Sequence, residues 1–169
     1  MIIKNNENAI RLNCSDVLES EVGSLIETLE NELKYSNISG EHGIGLAAPQ
    51  LGIAKKIAIV RIGELKLNLV NCTIDKYYDP FIFSEEGCLS FPGRVEQTNR
   101  FREIFVKNNL VYPYNFTATD LLAVCSQHEI EHFNNKLFFE NAIKKKTQKP
   151  NDKCLCGSNL KYKKCCGRW

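Results

Sequence analysis

Two spacings of apolar residues organise the chain. Leu18, Val22, Leu25, Leu29 and Leu33 recur at helical intervals, which predicts an amphipathic, core-packing helix from Ser15-Asp16 to about Tyr35. Asp16 and Glu19 suit its first turn, where carboxylates favour the helix dipole. A second helix is predicted over 119–133, with Thr119-Asp120 to cap and open it. Leu121, Leu122, Val124, Cys125 and Ile130 form its apolar side, and Asn134-Asn135 supplies a left-handed stop. Between the helices the pattern shortens to strand length. Residues 56–61 and 65–71 read as two strands hinged at Gly63, with shorter strands around Phe81-Ile82-Phe83 and at 104–107. Residues 110–114 read as a further strand, kept to an edge by Pro113. Residues 36–42 read as a loop. The first fourteen residues form a polar arm with Ile10 and Leu12 as anchors.

Composition adds limits. With 169 residues, 43% hydrophobic and 25% charged, the chain suits one compact domain with a little to spare. No apolar run is long enough to cross a membrane. The first residues lack the basic-then-apolar pattern of a secretory signal, so the expectation is a soluble, cytoplasmic protein. The net charge of +2 is unevenly spread. From Lys144 onward nine Lys or Arg stand against one acid, Asp152, and the rest of the chain holds thirteen against nineteen. An acidic body with a basic tail points to an anionic partner for the tail. The eight cysteines divide likewise: Cys14, Cys72, Cys88 and Cys125 are scattered, and four crowd the last sixteen residues. Close pairs without an export signal suggest metal rather than disulfides.

The candidate chemistry starts in the second helix. His128 and His132 are four apart and share a face, and Glu129 lies beside the first. This HExxH arrangement gives two imidazole ligands and a glutamate able to act as general base on water acidified by the metal. On its own the pattern also suits two surface histidines on an amphipathic helix. Two further segments stand out. Gly43-Ile44-Gly45-Leu46-Ala47-Ala48-Pro49-Gln50 lets the backbone pass close to something and then offers an amide, but lacks the signature of a phosphate loop. Glu85-Glu86-Gly87-Cys88-Leu89-Ser90 sets a cysteine in a Gly-containing loop between strands, where ligands are often presented. A lone buried cysteine is otherwise usually inert core.

Together the segments 43–50, 86–90 and 127–132 resemble the three motifs of the peptide deformylases, and the resemblance covers about residues 10–140. It implies that Cys88, His128 and His132 hold a divalent metal, Fe²⁺ in the cell, while Zn²⁺, Ni²⁺ or Co²⁺ also suit a thiolate and two imidazoles. It implies that Glu129 is the base, and that the Gln50 amide and the Leu89 backbone N–H flank the reacting carbonyl. The substrates implied are formyl-methionyl nascent peptides, from which formate is released. The backbone of Ile44 and Gly45 would pair with the extended peptide as an added strand. Leu121, Val124 and Cys125 would wall the methionine slot, although their spacing alone suits a core role as well. The chain departs from the family at Glu131, where an aspartate is usual, and at Phe133-Asn134-Asn135, where Leu-x-Gly is usual. Residues 108–117 are short for the hairpin found there.

The tail reads C-x-C-x₈-C-C across Cys154, Cys156, Cys165 and Cys166 and resembles the SEC-C zinc motif. Four thiolates close a tetrahedral Zn²⁺ and leave no position for substrate, so such a site is structural. The expected organisation is a catalytic domain over 1–143, a basic linker over 144–151 and a zinc knuckle over 152–169. The expected fold is α+β: an antiparallel, partly wrapped sheet around a central HExxH helix, plus the small knuckle. A monomer without membrane contact is expected, with the ribosome or rRNA as partner for the tail. Two other functions remain open on the residues alone. One is a small zinc peptidase, disfavoured by a cysteine ligand and by the lack of a third His or Glu after the helix. The other is a deformylase-like binding protein working through its tail.

Overall fold

The computed structural model describes residues 1–143, 149–154, 156 and 158–167. Most of the linker predicted over 144–151 therefore lies outside the described residues, as do Leu155, Gly157, Arg168 and Trp169. The described residues form three α-helices, six strands and three short 3₁₀ turns. In chain order the main elements are α1 (Glu7–Ile10), α2 (Glu19–Ile38), β1 (Gly45–Ala47), β2 (Ile57–Ile62), β3 (Leu65–Val70), β4 (Thr73–Gly87), β5 (Val95–Lys107), β6 (Asn115–Thr119) and α3 (Asp120–Phe133). The fold is α+β, with two antiparallel three-stranded sheets ordered β1-β2-β3 and β4-β5-β6.

The hydrophobic pattern explains the layering. Ile57, Ala58, Ile59 and Val60 are all buried, so β2 is covered on both faces. On one side Ile57 and Ile59 join Val22, Leu29 and Leu33 of α2 and Leu46 of β1 in one apolar cluster. On the other, Ala58 and Val60 join Leu67 and Leu69 of β3, Ile104 and Val106 of β5, Ala118 of β6, and Ala123, Cys125, Ile130 and Phe133 of α3. Helix α3 is thereby packed on both sheets, and of residues 127–132 all but the half-buried Glu131 are buried. A smaller cluster of Ile10, Phe91, Leu137 and Phe138 closes the C-terminal side of α3.

Several expectations are corrected. Helix α2 begins at Glu19 rather than at Ser15-Asp16, and Leu18 is left exposed. The Glu21 carboxylate accepts from the Leu18 N–H at 2.8 Å and closes the first turn, while Ser15 pairs with Lys55 as an isolated bridge and Asp16 pairs with Lys56. The helix also runs on to Ile38, into the predicted loop. The short strand at 81–83 is the middle of the fifteen-residue β4, and the strand at 104–107 is the end of the thirteen-residue β5. Residues 110–114 are not a strand. Asn108 there accepts from the Val70 N–H and donates to the Asn68 and Pro113 carbonyls, drawing the segment into a tight loop, and pairing resumes at Asn115. Thr119 is the N-cap residue of α3, but its side chain makes no capping hydrogen bond. The helix ends as expected: Asn134 is the C-cap and Asn135 takes the left-handed conformation at φ 59°.

Candidate active site

The three segments singled out in the sequence converge. Strand β1 ends at Ala47, and the next four residues turn into a 3₁₀ helix with Pro49 near its start. That turn swings the Gln50 side chain back under β1, where its Oε1 accepts from the Ala47 N–H at 2.8 Å. The Gln50 Nε2 is left to donate to Cys88 Sγ at 3.3 Å and Ser90 Oγ at 3.2 Å. The first segment is thus tied to the second through one buried amide. Cys88 lies directly after β4 and faces α3, with its Sγ 3.7 Å from His132 Nε2.

His128 and His132 sit one turn apart on α3 with ring centroids 5.1 Å apart and nearly edge-to-face. The ligand atoms of Cys88, His128 and His132 all fall within 4.8 Å of one another. This donor set would suit a divalent metal ion, which three protein ligands would leave open to water or substrate. The rings are held from behind. His128 Nδ1 lies 2.7 Å from Glu86 Oε1, which turns Nε2 toward Cys88 and His132. Its other face stacks on Phe138, 5.7 Å between centroids. His132 Nδ1 has no partner among the described residues. Burial, and then its neighbour His128, hold the pKa of His132 well below the ordinary value, so it stands as the neutral imidazole a metal needs.

Glu86 is the hinge of a buried charge chain that the sequence reading did not single out. Arg100 on β5 is 2% exposed and donates to Glu86 through Nε at 2.7 Å, while its Nη1 pairs with Glu131 of α3 at 2.9 Å. Thr98, two residues earlier on the same face of β5, donates to Glu86 Oε2 at 2.5 Å. Burial alone would raise the Glu86 pKa, but the hydrogen bonds from His128 and Arg100 outweigh it and bring it to about 2. Glu131 also accepts from Lys136 and Asn141. The longer side chain at the departing position therefore reaches three donors.

Glu129 faces the opposite way, into the pocket. Burial pushes its carboxyl up to about 7, and its Oε2 is buried without a partner among the described residues. A Cβ on Gly45 would collide with this carboxylate, and a Cβ on Gly43 would collide with the Leu89 side chain. The glycines of the first segment are thus required by close approach. The pocket encloses about 510 Å³ and is lined by residues from all three segments. Each pocket residue named from the sequence is there: Ile44, Gly45, Gln50, Cys88, Leu89, Leu121, Val124, Cys125, His128 and Glu129 all line it, with His132 behind. Phe83, Phe91 and Val95 line it as well and were not anticipated.

In the tail, Cys154, Cys156, Cys165 and Cys166 form a second group whose sulfur atoms also lie within 4.8 Å of one another. A bridge between Lys153 and Lys161 and the Cys154 N–H to Leu160 carbonyl bond, 2.7 Å, bring the two pairs together.

A cluster of one cysteine and two histidines beside a carboxyl group, at the head of a pocket in an α+β fold, has the donor set of a metal-dependent hydrolase. The sequence profile of the polypeptide deformylases matches residues 1–149, that of the SEC-C motif matches residues 151–168, and the chain belongs to the polypeptide deformylase family. It is 45% identical over 109 residues to the peptide deformylase of Syntrophomonas wolfei subsp. wolfei, covering 63% of this chain and 71% of that one. Against the peptide deformylase of Heliobacterium modesticaldum it is 34% identical over 143 residues, covering 82% and 91%. Among solved structures, the peptide deformylase of Synechococcus elongatus in complex with actinonin matches with a TM-score of 0.75 at 29% identity, covering 86% and 79%. That of Legionella pneumophila matches with a TM-score of 0.71 at 31% identity, covering 85% and 86%.

Proposed function

We infer that this protein is a peptide deformylase: it removes the N-formyl group from the N-terminal formyl-methionine of newly made polypeptides and releases formate. The observation that carries the reading is Glu129, a buried carboxylate with one unpartnered oxygen beside the Cys88, His128 and His132 cluster. We assign those three residues as holders of the catalytic metal, with Fe²⁺ the ion suggested by family resemblance. When bound, the ion supplies Lewis-acid polarisation of the formyl oxygen and lowers the pKa of water.

The remaining steps belong to the chain. Glu129 accepts a proton from the attacking water as its oxygen bonds to the formyl carbon. The Gln50 amide and the Leu89 N–H meet the negative charge that develops on the formyl oxygen. As the C–N bond breaks, Glu129 returns the proton to the amine nitrogen, leaving formate and a free amino terminus. The apolar walls Leu121, Val124 and Cys125 hold the methionine side chain and exclude water. The backbone of Ile44 and Gly45 pairs with the peptide, because among the described residues β1 is bonded to β2 alone and its other edge carries no strand.

The finer architecture we propose is a catalytic domain over 1–143 wrapping its sheets partly around α3, a linker over 144–151 and a knuckle over 152–169 closed by structural Zn²⁺ on the four tail cysteines. The tail's basic residues suit an anionic surface, and the ribosome, where formylated chains emerge, is the partner we assign to it. On this view the protein works as a cytoplasmic monomer. The decisive experiment is formate release from a short formyl-methionyl peptide by the metal-loaded protein. Turnover with a strong preference for methionine is expected. A loaded protein that leaves the formyl group in place but cuts internal peptide bonds refutes the reading.

A further inference from the structure

The N-terminal arm crosses the outside of the junction between the first two segments, and three consecutive residues bond to it. The Ile3 N–H donates to the Gln50 carbonyl at 2.8 Å and the Asn5 N–H to the Ser90 carbonyl at 2.8 Å. Between them the Lys4 ammonium donates to the Leu89 carbonyl at 2.8 Å and to both oxygens of Glu41, each at 2.8 Å. The arm is seated by Ile2, which is buried with α2 and β2, and by Asn6, which caps α1. Glu41 in turn accepts from the buried Ser36 hydroxyl at the end of α2, 3.0 Å.

Lys4 therefore bridges the two walls of the pocket mouth. Glu41 lies two residues before Gly43, whose backbone abuts the Leu89 side chain. The Leu89 carbonyl lies on the wall opposite. The Leu89 N–H donates to no group among the described residues. The Leu89 N–H shares its rigid peptide plane with the Cys88 carbonyl, which accepts from the Phe91 N–H at 2.9 Å. Lys4 and Asn5 hold the next two carbonyls, so the three successive planes from Cys88 to Phe91 are each pinned and the turn that presents the Leu89 N–H has little freedom left.

We propose that Lys4 is a positioning residue for deformylation: its bond to the Leu89 carbonyl helps hold the 88–91 turn that presents the Leu89 N–H to the pocket, and its bond to Glu41 holds the facing wall at the matching distance. The assignment rests on the reading of Leu89 as an oxyanion donor. Lys4 is remote in sequence from the three motifs. Its hydrocarbon stem and charge serve different ends, so Lys4→Met keeps the packing and removes the bonds, whereas Lys4→Arg keeps a cation in reach of both acceptors.

The test compares kcat and KM of full-length, metal-loaded Lys4→Met and Lys4→Arg on a formyl-methionyl peptide, with metal content and thermal midpoint alongside. A fall of about tenfold is expected in Lys4→Met, below the 10²–10³ typical of losing a donor outright. It should lie mainly in kcat, with metal content unchanged and most of the loss restored in Lys4→Arg. A semisynthetic chain with the Leu89 N–H replaced by an ester oxygen reads the donor itself. It should be slow, and Lys4→Met added to it should cost nothing more. Wild-type kcat in Lys4→Met with a slow ester overturns the role of Lys4 and leaves Leu89 as donor. A fast ester removes Leu89 as donor, and the proposal with it. Equal further loss when the two changes are combined, or a fall in kcat that follows metal loss, also overturns the proposal.

Discussion

Glu129 and Arg100 divide the work of the site between chemistry and support, and single substitutions should separate them. Glu129→Gln keeps size and polarity but abolishes the proton acceptor. Bound metal should stay while kcat falls by about 10²–10⁴, the usual cost of losing a general base; metal analysis and initial rates together check this. Arg100→Met acts differently, because it leaves the buried Glu86 without its guanidinium partner, while the half-buried Glu131 keeps Lys136 and Asn141. Breaking such a pair by removing one partner costs about 3–5 kcal/mol, and loosening the group behind a metal-binding histidine typically weakens metal affinity about 10–100-fold. Denaturant unfolding and competition with a chelator should register both losses. The grouping of His128, Glu129 and His132 was legible because its spacing is itself the signal, and Cys88 joined it only through the resemblance of its segment to a family motif. Arg100 was not, since nothing near it in the chain marks it. Its role depends on Glu86 from β4 and Glu131 from α3, brought together only by folding. In the sequence Arg100 is one more polar residue in a run of Glu96, Gln97, Thr98, Asn99, Arg102 and Glu103.

At the level of elements, three-residue β1 is as exacting as the catalytic helix. Its Gly45 lies against Glu129 with no room for a Cβ, and its neighbours Leu46, Ala47 and Ala48 are fully buried. Gly45→Ala should therefore displace the base rather than unfold the strand. We expect a loss of kcat of at least tenfold with metal content and far-UV circular dichroism unchanged; full activity would show that the carboxylate has space the structure denies it. The element pattern in the sequence served well where packing follows period: β2, β3 and α3 lie within a residue or two of expectation. It served poorly at ends. The start of α2 is set by Glu21 bonding back to the Leu18 N–H, a choice that competes with Ser15 and Asp16 only once Lys55 and Lys56 have engaged those residues. The loop at 108–114 has the composition of a strand, but Asn108 binds three backbone groups and bends it away.

Over the whole molecule, the family profile and the SEC-C profile meet at residues 149 and 151. The two cysteine-containing clusters fall on opposite sides of that junction. They should be separable. Truncation after Ile143 is expected to leave turnover of short formyl-methionyl peptides within about twofold and to remove one zinc per chain. It should also abolish salt-sensitive co-sedimentation with ribosomes, since basic contacts with nucleic acid weaken steeply as salt rises. Equal sedimentation of both forms would refute the docking role.

The chain of Glu86, Arg100 and Glu131 carries a thermodynamic consequence. Glu86 holds His128 from behind and is itself held by Arg100, whose second partner Glu131 also binds Lys136 and Asn141, so the site is assembled only in the folded chain. A dication held by Cys88, His128 and His132, as proposed, would therefore bind the folded chain far better than the unfolded one. Loading and folding are then a single coupled equilibrium, worth about 4 kcal/mol when free metal stands at a thousand times its dissociation constant. Chelation should lower the thermal midpoint of the full-length protein reversibly, and Cys88→Ser, with one ligand weakened, should lose most of that response. A midpoint indifferent to metal would mean that loading and folding are independent. If the coupling holds, a cell short of metal would lose this protein to unfolding and turnover rather than store it as an idle enzyme.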